Sequence, residues 1–167
     1  MPTDLRALIA ERRTHLTRFA NQGGREGEVE LVTGRPEWLE RPRGRELKAL
    51  LRALDAAGTP IKGSSFDAIA LPAGLEPRLH DSLWIDEHLA AFTFVEIKTS
   101  NQPRVGPGFS GFFFALTEGE IEAAAVLGSR HRVALYNKRT GELLITSVEE
   151  ILARASSRTW QLSVSIR

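Results

Sequence analysis

Leu47, Leu50, Leu51 and Leu54 recur at the i, i+3, i+4, i+7 spacing of one helical face, which predicts a helix from Arg45 to Ala57 stopped by Gly58. Upstream, Leu5, Leu8, Ile9, Leu16 and Phe19 fall near the same spacing and predict a helix after Thr3 that ends at Asn21-Gln22-Gly23-Gly24. Downstream the period shortens. Ser65–Leu71 and Ala91–Lys98 alternate as strands, and Glu28–Thr33 and Ser82–Asp86 read as shorter ones. The segment from Gly34 to Gly44, with Pro36 and Pro42, reads as irregular, and Thr99–Gly111 as a mobile Gly/Pro-rich loop. Thr117-Glu118-Gly119-Glu120 and Ser147-Val148-Glu149-Glu150 are capping boxes, predicting helices to Leu127 and to about Ala155. Arg132–Tyr136 and Leu143–Thr146 form a hairpin pattern with Gly141 in its turn, and Trp160, Leu162, Val164 and Ile166 alternate as a last strand. This succession predicts an α/β layer fold with a mixed sheet.

Composition narrows the class without naming a function. The 167 residues, 42% apolar and 26% charged, describe one soluble domain with enough chain for a real core. No apolar run approaches the ~20 residues of a membrane span, and Met1-Pro2-Thr3-Asp4-Leu5-Arg6 leads directly into charged sequence. We therefore expect no secretory signal, no membrane and a cytoplasmic protein. The absence of cysteine excludes disulfides, thiolate nucleophiles and Cys-ligated metals. A net charge of +1 argues against polyanion binding by the chain as a whole and leaves room for a local basic patch.

Glu96-Ile97-Lys98, at the end of a strand, carries the clearest chemistry. Alternation puts Glu96 and Lys98 on one face and Ile97 on the other. Phenylalanines and valine precede them, so the strand is apolar on both faces, and a charge pair there is costly unless it faces a site. Asp67 is likewise an acid inside an apolar segment, although a strand-end cap would place an Asp there equally well. Two carboxylates that hold Mg²⁺, with a cation to orient water or stabilise developing charge, are what phosphodiester hydrolysis requires. The Ile97 carbonyl would add a further hard oxygen ligand.

Asp67 and Glu96-Ile97-Lys98, between the Arg45–Ala57 helix and the Leu116–Leu127 helix, resemble the PD-(D/E)xK nuclease superfamily. Phe66-Asp67, Val95-Glu96-Ile97-Lys98-Thr99-Ser100 and Leu116-Thr117 with Glu120 and Ala123-Ala124 are similar to its branch typified by NO VEIN C-terminal domains. The resemblance implies a restriction-endonuclease-like αββαβ core within 45–167, behind a helical and irregular extension over 1–44. It also implies a metal-dependent nuclease acting on DNA, in a restriction or defence system. Asp67 and Glu96 would be ligands of Mg²⁺ or Mn²⁺, and Lys98 the catalytic lysine. Members often carry another acid on the first core helix, where Glu46 flanks the leucine stripe. Asp86, closer in sequence to Glu96, competes with Asp67 for the first ligand position. The fold also occurs as catalytically silent modules that bind nucleic acid or a protein, which is the alternative reading.

Arg41, Arg43, Arg45 and Lys48, with Arg104 in the loop after the Glu-x-Lys strand, are candidates to hold a DNA backbone through its phosphates. Cutting both strands of a duplex would suit a homodimer or a larger complex. The four histidines show no ligand spacing, and no serine sits in a nucleophile elbow.

Overall fold

The computed structural model describes residues 26–156. The helix expected after Thr3 and the strand expected at Trp160–Ile166 lie outside the described residues. Within them a five-stranded sheet runs β1 (Trp38–Glu40), β2 (Ala68–Ala70), β3 (Thr93–Ser100), β4 (His131–Asn137) and β5 (Glu142–Thr146), in that spatial order. The β3–β4 pair is parallel and the other pairs are antiparallel. Residues 26–33 are helical and are labelled α1. It is followed by α2 (Gly44–Ala56), α3 (Ser82–His88), α4 (Glu118–Leu127) and α5 (Val148–Arg154). The class is therefore α/β with a mixed sheet. No helix among the described residues is long and apolar enough to cross a membrane.

Register sorts the side chains into two faces. Ile69 pairs with Phe94 and Phe94 with His131, so alternation brings Phe94, Glu96 and Lys98 onto the face that carries Val133 and Leu135. Two apolar clusters cover that face. One joins Leu50 and Leu54 of α2 and Trp84 and Ile85 of α3 to Phe66, Ile69 and Phe94. The other joins Ala124 of α4 and Val148 of α5 to Val105, Phe109, Val133 and Leu135. The reverse face packs Ala68, Val95, Ile97 and Ala134 against Leu31 of α1.

The leucine stripe, both capping boxes and the β4–β5 hairpin form as the sequence leads one to expect, with Gly141 at φ 72° in the hairpin turn. Four expectations are corrected. Residues 26–33 are helical because Gly27 and Leu31, one turn apart, are buried against the sheet. Ser82–Asp86 is helical because Asp81 caps it, accepting from the N–H groups of Leu83 and Trp84 at 3.0 and 3.3 Å. The segment around Pro36 and Pro42 contains β1, whose short pairing with β2 is set by tertiary contact. The Gly/Pro-rich loop is packed down: Val105 and Phe109 are buried, and Glu142 and Arg154 bond the backbone of Gly108. β1 pairs with β2 in the sheet, and Leu31 of α1 packs against the sheet's reverse face.

Gly27 lets α1 approach β3 closely. A Cβ placed there would collide with Cγ2 of Thr99 and lie 2.7 Å from its Oγ1. Gly27→Ala is thus expected to destabilise the fold, because overpacking costs roughly 1–3 kcal/mol against at most about 1 kcal/mol gained in helix propensity. Thr99→Ala in the same chain should restore most of the loss in thermal unfolding. A Gly27→Ala protein as stable as its parent would contradict this contact.

Candidate active site

The β2–β3 ladder ends where the acids gather. Asp67, just before β2, donates its N–H to the Val95 carbonyl at 2.8 Å. Its carboxylate then accepts from the Ile97 N–H at 2.9 Å, satisfying a donor that no strand residue reaches. Since N–H and C=O of one strand residue share an edge, the Ile97 carbonyl is directed to the same side. Glu96 and Lys98 rise from the covered face of β3, beside Val133 and Leu135 of β4.

Lys98 is clasped from two elements. Its Nζ donates to Glu96 Oε1 at 2.8 Å and to both carboxylate oxygens of Glu120 on α4 at 3.0 Å. The Lys98, Glu96 and Glu120 side chains are 14%, 7% and 5% exposed, so these are low-dielectric ion pairs rather than solvated ones. The other oxygen of Glu96, Oε2, is buried and has no hydrogen-bond partner among the described residues. Burial pushes the Asp67 carboxyl up, against the pull of the Ile97 N–H, Lys98, Arg41 and the neighbouring Glu96 side chain. Burial first and the Asp67 carboxylate second push Glu96 up to about 9, over the opposing pull of Lys98. Burial also works against charge on Lys98, yet Glu96 and Glu120 outweigh it and hold the ammonium above the usual lysine range. Beside them on β4, burial pushes His131 down, favouring the neutral ring, whose Nε2 lies 3.3 Å from the Ser65 carbonyl oxygen.

Asp67, Glu96, Ile97 and Lys98 thus come together from β3 and the approach to β2. Asp86 does not join them: it is exposed on α3. Glu46 is exposed in the first turn of α2, and no hydrogen bond or ion pair among the described residues joins it to the cluster. The acid that does reach Lys98 is Glu120. In the sequence it belongs to a capping box and to the motif that resembles the nuclease branch, and neither points to Lys98 as its partner.

The basic candidates divide. Arg41 is half-buried and donates to the carbonyls of Gly63 and Phe66 at 3.3 and 3.2 Å, supporting the segment that carries Asp67. Arg43 is exposed and paired with Glu40 at 2.8 Å. Arg45, Lys48 and Arg104 are exposed. Arg41, Arg43 and Ser64 line a shallow depression of about 310 Å³ at the start of α2.

Among the described residues no three His, Asp or Glu side chains form a ready-made metal cluster. The donor set fits a hard cation in another way. Asp67 and Glu96 converge, and their mutual repulsion is relieved by a proton on Glu96 or by a cation between the two groups. Mg²⁺ commonly takes only one or two protein carboxylates and completes its shell with water and substrate oxygens. Comparison with family models, with curated proteins and with solved structures finds no match to the chain.

Proposed function

We propose that this cluster is the site of a divalent-metal-dependent nuclease that hydrolyses DNA phosphodiester bonds. One observation carries the reading: Asp67 and Glu96 converge beside the buried Lys98 ammonium, and Glu96 Oε2 is left without a partner. The order α2, β2, β3, α4, β4, with α3 between the two strands, supports the restriction-endonuclease-like core that the sequence resembles. Asp67, Glu96 and the Ile97 carbonyl would hold Mg²⁺ or Mn²⁺, which when bound would draw charge from a phosphate oxygen and acidify water. Lys98 orients that water or stabilises the charge growing on the phosphate. Arg43, Arg45, Lys48 and Arg104 hold the DNA backbone without reading bases. A homodimer or a restriction or defence complex would place two such sites on a duplex.

A second reading has its own observation. Lys98 is already balanced by Glu96 and Glu120, a closed ion-pair network that a silent binding module could keep for stability alone. Calorimetric titration with Mg²⁺ and Mn²⁺ separates the two. The nuclease reading expects binding by the wild type, weakened on the order of tenfold or more in Asp67→Asn. No binding by the wild type would favour the silent module.

A further inference from the structure

We propose, on the nuclease reading above, that Glu120 is the positioning residue for Lys98, holding its ammonium toward the substrate from a separate element. Lys98 has three donor hydrogens, and its contacts are Glu96 Oε1 at 2.8 Å and the two Glu120 oxygens at 3.0 Å. Glu96 is a shared partner, since a cation beside Asp67 draws on the same carboxylate. Glu120 has no such second claim. Its carboxylate is fixed by main chain: Oε2 accepts from the Thr117 N–H at 3.0 Å, while the Glu120 N–H donates to Thr117 Oγ1 at 3.2 Å. It cannot swing away without opening the first turn of α4. The cap needs only one of its oxygens, and the other, Oε1, bonds Lys98. Because α4 is the crossover between parallel strands β3 and β4, it starts over the end of β3 where Lys98 sits.

Glu120→Gln separates the two roles. Glutamine also serves in a capping box, so α4 keeps its start. Once the single amide oxygen accepts from Thr117, the NH₂ group is left facing Lys98, donor against donor. With Mg²⁺ and DNA we expect kcat to fall about 10–100-fold, with KM and Mg²⁺ affinity unchanged and no added loss in a Lys98→Met background. Wild-type kcat in Glu120→Gln would reduce Glu120 to a cap, and lost Mg²⁺ affinity would make it a ligand; either overturns the proposal. A wild type that cuts no DNA refutes the nuclease reading instead. A double-mutant cycle of urea midpoints for Lys98→Met and Glu120→Gln, in chelator, then reads the contact without activity. Coupling between the two positions is expected, and simple additivity would refute the contact.

Discussion

Lys98→Met is expected to lower Mg²⁺-dependent DNA cleavage by on the order of 10²–10³-fold, the usual cost of removing one preorganised group that meets transition-state charge. The methionine keeps the length and apolar stem of lysine and removes the ammonium. The effect arises from where the charge sits. An exposed lysine is screened and interchangeable, whereas Lys98 is 14% exposed and held by two carboxylates from β3 and α4. The same burial makes the substitution costly for folding, because Glu120 loses its counter-charge and Glu96 Oε1 loses its hydrogen-bond donor. The comparison therefore needs circular dichroism and an unfolding midpoint beside the cleavage rate. If the folded Lys98→Met protein cut DNA as fast as the wild type, the lysine would have no part in the chemistry.

The second large effect is on stability, and its sign is opposite to that of most core substitutions. Glu96→Gln is expected to stabilise the metal-free protein, increasingly so as pH rises. The Glu96 carboxyl, ordinarily ionised above pH 4.5, is held protonated in the fold up to about 9 by burial and by Asp67. Its contribution is fully present below pH 4.5 and is lost as pH climbs toward 9, because unfolding releases a proton throughout that window. One such group changes stability by at most about 1.4 kcal/mol per pH unit. Glutamine keeps the shape of the protonated acid and does not titrate. Thermal unfolding in chelator at pH 5 and pH 8.5 should show near-equal midpoints at the lower pH and a higher midpoint for Glu96→Gln at the upper one. A difference independent of pH would mean that Glu96 is ionised in the free protein and that no charge is missing from the site.

Different physics made parts of this site legible in the sequence. Glu96 and Lys98 stood out because alternation is a local property, and an ion pair within an apolar strand is expensive wherever the strand goes. Asp67 stands out for the same reason, but only tertiary structure shows that its carboxylate takes over the Ile97 N–H just before β2 begins. Glu120 is legible as a cap and as part of the resembled motif, but a capping box is satisfied within four residues and gives no sign of a partner 22 positions away. The errors lie in short segments. Glu28–Thr33 alternates polar and apolar, and its helix is set by the Gly27 and Leu31 contacts with the sheet. In Ser82–Asp86 a brief apolar run carries no period of its own, and the Asp81 cap was the signal available. At β1, three residues between prolines are held by pairing with β2, which no local pattern records.

Placing Glu46 in the site illustrates the same limit. A position flanking a leucine stripe fixes an angle around α2, not the distance from its first turn to β3, and Glu46 remains exposed. The third acid came instead from α4, which the β3–β4 crossover brings over the end of the Glu-x-Lys strand.

The most direct measurement is cleavage of plasmid and oligonucleotide DNA by the wild type and Asp67→Asn, with Mg²⁺ or Mn²⁺ and with chelator. The account predicts cleavage by the wild type that requires the divalent ion and is lost in Asp67→Asn. Wild-type protein that binds neither ion and cuts no DNA, or cleavage that persists in chelator or in Asp67→Asn, would contradict it.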